Sequence, residues 1–257
     1  MKTIQLHIYH FCVILFCGVL FSSCNKKTKD DPSEDIAKPT GTVMFHLHTF
    51  IEDNEVDLYH IPYNTHDGRS ISLNMAQLYF SDVEIVKLDG SVYSFPANKI
   101  LKVLETDTYL IGEAPAGNYK SLRFKVGLAP AVNLPDAANT KDSTMWLSKT
   151  RLDDGYIFLN VQGKIDTSEA MTGSMVPFSY KIGTNVNYKQ VTLPDKNFTV
   201  VAGEVQYAHL IADYNMLFRG IKINDNANLF IRTAAENALP LAQKIVNNIP
   251  AMFIYEQ

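Results

Sequence analysis

The sequence predicts an all-β protein, an antiparallel β-sandwich with a short C-terminal helix. Short runs rich in β-branched and aromatic residues follow one another, for example GTVMFHLHTF over residues 41–50 and EVQYAHLIADY over residues 204–214. Glycine, proline, asparagine and aspartate separate these runs at irregular intervals, which is typical of sandwiches or barrels of antiparallel strands. Residues 41–257 show no repeat and no low-complexity segment, so we expect one domain there.

Two local signals support particular elements of this fold. The run AQLYFSDVEIVKLDGSVYSF predicts two strands joined at Asp89-Gly90, a dipeptide that favours a tight hairpin turn. Near the end, Leu239, Ala242, Ile245 and Val246 have helical spacing, and Pro240 suits the first turn of a helix. We therefore expect a short amphipathic helix that closes one end of the sandwich.

The beginning of the chain has the layout of a secretory leader. Lys2 precedes an apolar stretch over residues 8–21, and Ser22 and Ser23 come directly before Cys24. This stretch is shorter than the roughly 20 apolar residues that a transmembrane helix needs, and a charged start with small residues at the end is typical of a signal peptide. The small residues before Cys24 also resemble the lipobox of bacterial lipoproteins, which implies that residues 1–23 are removed and that Cys24 is lipidated.

Residues 24–40 are predicted to be a lipidated tether, because they are polar and contain almost no large apolar side chain. The domain then covers residues 41–257. We expect the protein to be held at the outer membrane by its lipid anchor, on the cell surface or facing the periplasm. The segment KDD soon after Cys24 resembles the surface-export signal of Bacteroidetes lipoproteins, which favours the cell surface.

Composition and motifs argue against several classes of protein. The formal net charge is −4, so binding to nucleic acid is not expected. Cys12 and Cys17 lie in the predicted signal peptide, so the domain has no thiol for a disulfide or a cysteine nucleophile. The strings G-x-S-x-G and H-E-x-x-H and the glycine-rich nucleotide loops are missing. We therefore expect a binding protein and not an enzyme.

Histidines are the most informative candidates for a functional site. His46 and His48 are two residues apart in a predicted strand, so both side chains lie on one face, about 6.5 to 7 Å apart along the chain. Two imidazoles at this spacing can converge on one metal ion, although a half-exposed strand also tolerates two polar rings. His209 alternates with apolar residues in another predicted strand and is either a third ligand or a histidine of the core.

Met145 and Trp146 are a second pair of candidates. Trp146 is the only tryptophan and comes just before a predicted strand, where a large aromatic side chain usually belongs to the core or its rim. The thioether of Met145 is a soft ligand of the kind that copper accepts.

Several segments in order resemble the MbnP-like family, copper-binding proteins associated with methanobactin clusters and also found as lipoproteins in Bacteroidetes. The segments that carry this resemblance are YNTHDG, LYFSDVEIVKLDG, PAGNYKSLRFKVGL, MWLSKTRLDDGYIFLNVQG and AQKIVNNIPAMF. The resemblance implies a β-sandwich and a copper ion held by histidines, in some relatives beside a tryptophan oxidised to kynurenine. Trp146 occupies the corresponding tryptophan segment.

One departure from the family pattern leaves two alternatives open. Relatives often have an aromatic-x-His-x-Gly string where this chain has SYKIG, so Lys181 stands at the expected histidine. A protonated lysine repels a cation and offers it no lone pair. Either His46, His48 and His209, with Met145 and Trp146, form a copper site, or the domain is a surface module that binds a protein or glycan partner without metal.

Overall fold

The computed structural model describes residues 38–96 and 99–256. The predicted signal peptide, Cys24 and most of the predicted tether lie outside the described residues. The described residues from Lys38 onward form one compact unit. None of the helices in the described part is long and apolar enough to cross a lipid bilayer.

Strands account for most of the regular structure, as the sequence predicts. Within the described residues they are β1 (Thr40–Ile51), β2 (Asn54–Glu55), β3 (Pro62–Asn64), β4 (Ser70–Lys87), β5 (Val92–Ser94), β6 (Ile100–Lys102), β7 (Asp107–Pro115), β8 (Gly117–Val126), β9 (Ile157–Asp166), β10 (Met175–Gly183), β11 (Lys189–Thr192), β12 (Phe198–Val200), β13 (Val205–Asp213), β14 (Phe230–Ile231) and β15 (Phe253–Tyr255). The all-β prediction is therefore confirmed.

The helical segments are short. The α-helix in the described part of the chain, α1 (Pro240–Asn248), buries Ala242, Ile245 and Val246, so the predicted C-terminal helix is confirmed. Leu239 precedes the helix and is exposed, because it is the N-cap residue and not part of the apolar face. The 3₁₀ helices cover Thr140–Met145, Leu152–Asp154, Asn185–Asn187, Tyr214–Phe218, Asn226–Asn228, Glu236–Ala238 and Ile249–Met252.

The described strands form two sheets. Sheet A has the order β15-β13-β1-β2, and β7 also pairs with β1. Sheet B has the order β11-β8-β4-β9-β10-β14; β12 pairs with β8, and β3, β5 and β6 pair with β4. The β4–β5 hairpin contains Gly90 with a positive φ of 87°, which agrees with the turn predicted at Asp89-Gly90.

The two sheets enclose the main hydrophobic core. Along β1, buried and partly exposed residues alternate, because successive side chains of a strand point to opposite faces. Phe45 of β1 stacks on Phe80 of β4 with ring centroids 5.6 Å apart, and Phe253 of β15 meets Phe124 of β8 at 5.0 Å. Each sheet therefore has an inner face on this core and an outer face directed away from it.

Two strand pairs are exceptions to the predicted antiparallel arrangement. β1 pairs with β13 in parallel, and β10 pairs with β14 in parallel. A parallel partner cannot follow through a tight hairpin, so β1 and β13 come from distant parts of the chain. The parallel pairing of β1 with β13 decides which residues meet on the outer face of sheet A.

Candidate metal centre

Two strands of sheet A position three histidines on its outer face. His46 and His48 alternate with the buried Phe45, Leu47 and Thr49 of β1, so both imidazoles point away from the core. In the parallel ladder, His46 is the register partner of His209 on β13. The structure therefore brings together the three histidines that the sequence singled out.

Glu256 completes the group and was not among the sequence candidates. It follows β15, which pairs with β13, and its backbone N–H donates to the carbonyl of His209 at 3.0 Å. This hydrogen bond holds the Glu256 side chain over the histidines. Nothing in the sequence near residue 256 marks it as a ligand, because its place depends on the pairing of the last strand.

The four donor atoms form a closed ring of short distances. His46 Nδ1 lies 3.1 Å from His209 Nδ1 and 3.2 Å from His48 Nε2. Oε2 of Glu256 lies 3.3 Å from His209 Nδ1 and 3.5 Å from His48 Nε2. All four atoms lie within 4.8 Å of one another. Ligands about 2.0–2.1 Å from a tetrahedral ion are about 3.3 Å apart, so the observed spacing fits one shared metal ion.

A second carboxylate orients His48. Its Nδ1 lies 2.6 Å from Oε1 of Glu55, which also accepts a hydrogen bond of 2.6 Å from the Thr106 hydroxyl. An ionised carboxylate only accepts, so Nδ1 of His48 carries a proton, and in the neutral imidazole the lone pair is then on Nε2, which is directed at the other donor atoms. Carboxylate–histidine pairs of this kind commonly fix the tautomer of metal-binding histidines.

Electrostatics also favour free lone pairs at this site. Partial burial lowers the pKa of His46 below its ordinary value, and repulsion from His48 and His209 lowers this pKa further. The hydrogen bonds from Thr106 and His48 lower the pKa of Glu55, so this carboxylate stays ionised. The lowered pKa favours the neutral form of His46, whose lone pair is then available to a cation.

The site is open on one side. The His48 side chain is only 12% exposed, whereas that of His209 is 50% exposed and that of Glu256 is 38% exposed. An ion can therefore reach the ring from solvent, past His209 and Glu256, while the floor of the site is fixed by β1.

The structure does not place Met145 and Trp146 with the histidines. Both belong to a second hydrophobic cluster that contains Tyr79 and Phe158. Tyr79 lies on β4 between Leu78 and Phe80, which face the main core, so Tyr79 faces outward from sheet B.

The expectation that Met145 and Trp146 share the histidine site is thereby corrected. They cover the outer face of sheet B, whereas the histidines lie on the outer face of sheet A, with the core between them. Trp146 forms an isolated bridge with Tyr156, and the Met145 sulfur accepts a hydrogen bond of 3.8 Å from Asn160. Lys181 is the register partner of Asn160, so it lies on the same face as Met145.

The two other histidines of the domain lie outside the ring. His60 contacts Asn74 at 3.0 Å, and His66 contacts Glu52 at 2.8 Å. Both are exposed and serve as natural controls for histidine substitutions in the ring.

Comparisons with known proteins identify the family. The family model described as MbnP matches residues 40–234. Among solved structures, MbnP from Methylosinus trichosporium is similar, with a TM-score of 0.52 and 17% identity over 72% of this chain and 80% of that chain. This likeness supports a common fold. The search of curated proteins found no match to the chain. The chain belongs to the MbnP family.

Proposed function

We propose that this protein binds one metal ion, copper, at His46, His48, His209 and Glu256. The observation that carries the proposal is the closed ring of four donor atoms, with neighbouring atoms 3.1 to 3.5 Å apart. The segments that correspond to the relatives' copper site lie on sheet B, so the choice of copper at these ligands rests on the general order of affinities. In that order, Cu²⁺ binds nitrogen and oxygen ligands more tightly than other divalent first-row metals.

The proposed role is binding and not catalysis. Catalytic zinc sites commonly have three protein ligands and leave one position for water or substrate, whereas four protein ligands are typical of closed sites. Here three histidines and Glu256 supply four donors to one centre. An ion held in this way suits storage, transfer or a structural role.

The proposed location is the bacterial cell envelope, with Cys24 as the lipid anchor. The support is the order Ser22, Ser23, Cys24 after an apolar stretch, followed by a polar tether. Several acyl chains give durable membrane attachment, because each buried methylene contributes about 0.8 kcal/mol. Metabolic labelling with a fatty acid should mark the wild type and not the Cys24→Ala variant; label in that variant would reject the anchor.

The metal proposal is tested by metal content and titration of the purified full-length protein. We expect one copper ion per chain in the wild type, and its loss in the His46→Ala/His209→Ala double variant. The matched control is His60→Ala/His66→Ala, which removes two exposed histidines outside the ring and should keep the copper. Absence of saturable copper binding in the wild type, or stoichiometric copper in the ring variant, would reject the proposal.

A second candidate function has support from a separate cavity of about 500 Å³. Its lining includes Glu52, Asp67, Arg69, Asn215, Phe218 and Arg219. Polar side chains around an aromatic ring suit a glycan or a polar segment of a partner protein. In this alternative, wild-type protein binds members of a glycan array and the Arg219→Ala variant loses that binding. An array without any bound glycan argues against the glycan form of this alternative.

A further inference from the structure

We infer that the site at His46, His48, His209 and Glu256 takes a divalent ion, Cu(II), in preference to Cu(I). This inference rests on the proposed metal binding and adds the oxidation state of the ion. It follows from the type of donor, the charge around the site and the arrangement of the four atoms.

The donor atoms are three imidazole nitrogens and one carboxylate oxygen. Cu(I) prefers thiolate and thioether ligands, whereas imidazole and carboxylate suit harder divalent ions. The described residues contain no cysteine, and Met145 lies on the outer face of the other sheet. Met44 is two residues before His46 on the same face of β1, so it is the methionine whose contribution has to be tested.

Negative charge at the site matches a divalent cation. Glu256 contributes one carboxylate to the ring, and Glu55 places a second one 2.6 Å from Nδ1 of His48. A monovalent ion among three neutral imidazoles needs no such charge, whereas two carboxylates offset the two positive charges of Cu(II). Because opposite charges attract more strongly where water is partly excluded, the 12% exposure of His48 increases this effect.

The arrangement of the four donor atoms also favours Cu(II). Each donor is 3.1 to 3.5 Å from two neighbours, so the atoms follow the order His46, His48, Glu256, His209 around a four-membered ring. Four nitrogen and oxygen donors around one centre are typical of Cu(II), Ni(II) or Zn(II). Among these ions, Cu(II) binds such donors most tightly, so we expect it to displace Zn(II).

The test compares the affinities of the full-length protein for Cu(II), Zn(II) and Cu(I), each measured by competition with a chelator of known affinity. Cu(I) is handled without oxygen. We expect Cu(II) to bind at least about tenfold more tightly than either other ion. We also expect the electron paramagnetic resonance spectrum of the Cu(II) form to show nitrogen coupling from the imidazoles.

Two variants test separately how the charge of Glu256 and the sulfur of Met44 contribute to copper binding. Glu256→Gln keeps an oxygen donor but removes the charge, so it should weaken Cu(II) binding about tenfold or more and change Cu(I) binding much less. Met44→Leu should change neither affinity. Three results would each overturn the inference and leave metal binding intact. They are tighter binding of Cu(I) than of Cu(II), an equal loss of affinity for both ions in Glu256→Gln, and loss of Cu(I) binding in Met44→Leu. Absence of binding by all three ions would instead reject the proposed function itself.

Discussion

His46 and His209 are register partners on neighbouring parallel strands, and their Nδ1 atoms lie 3.1 Å apart although 163 positions separate them in the chain. Directly opposite residues in a sheet have side chains on the same face and close together. The β1–β13 ladder therefore fixes this pair without help from a loop. His48 joins from the next outward position of β1, and Glu256 joins from the position directly after β15, the strand on the other side of β13.

The hydrogen bond between His48 and Glu55 leads to a first prediction. Glu55→Gln removes the negative charge that orients and polarises the His48 ring, and we expect copper affinity to fall about 10- to 100-fold. Competition titration measures this change. Glu113→Gln is the matched control. Glu113 accepts a hydrogen bond of 2.6 Å from Thr42, which lies in β1 like His48. Equal affinities of Glu55→Gln and the wild type would show that Glu55 does not support the site.

The separation of Trp146 from the histidines leads to a second prediction. Trp146 lies on the outer face of sheet B, so Trp146→Phe should keep one copper per chain with unchanged affinity. Metal analysis and titration measure this, and circular dichroism shows that the variant is folded. Loss of copper in a folded Trp146→Phe variant would place the ion on the other sheet.

Asp213 provides a prediction about the pH dependence of stability. Burial raises its pKa from 3.8 to about 6, helped by the charges of Glu52 and Asp53 and opposed by two backbone N–H groups that donate to it. Because the folded pKa is raised, ionisation of Asp213 costs stability as the pH rises from about 4 to 6.

Asp213→Asn should therefore gain stability relative to the wild type as the pH rises. Both N–H donors, from Glu52 and Asn215, bond to the same oxygen Oδ1, which asparagine retains. Urea unfolding at about pH 4 and pH 7.5 should show a change in the difference between variant and wild type of about 2 kcal/mol. An identical difference at both pH values would contradict the prediction.

Lys102 provides a prediction with the opposite pH dependence of stability. Its side chain is fully buried and donates hydrogen bonds of 2.6 Å to the Thr49 hydroxyl and the Val103 carbonyl. Burial lowers the pKa of Lys102 to about 7, against the opposing effect of Glu105 and Asp107. Because the folded pKa is lowered, this lysine contributes a rise in stability as the pH increases from about 7 toward 10.

Lys102→Met removes this titration. We expect the variant to be more stable relative to the wild type at pH 6 than at pH 9, because at pH 6 the wild type must bury a charged ammonium. Denaturant unfolding at both pH values measures the difference. A relative stability that does not change with pH would show that Lys102 has the same pKa in the folded and unfolded states, and would contradict the prediction.

Local patterns in the sequence predict much of the fold. Alternation places His46 and His48 on the outer face of β1, the Asp89-Gly90 dipeptide predicts the β4–β5 hairpin, and apolar spacing predicts α1. These features depend on residues close together in the chain, so the sequence contains the necessary information. The same alternation explains why both histidines share a face.

Long-range pairing is the part that the sequence does not reveal. The run around His209 predicts a strand but not its parallel pairing with β1, so it leaves open whether His209 joins the site or the core. Glu256 gains its role only from the pairing of β15 with β13. The family resemblance groups Trp146 with the histidines, but nothing in its local sequence specifies which sheet it covers.

The most direct test of the account is a crystal structure of the copper-loaded protein with the ion located by anomalous scattering. We predict one ion on the outer face of sheet A, about 2.0 Å from Nδ1 of His46, Nε2 of His48 and Nδ1 of His209, with Glu256 as the fourth ligand. An ion on the outer face of sheet B beside Trp146, or no ordered ion near the three histidines, would contradict it.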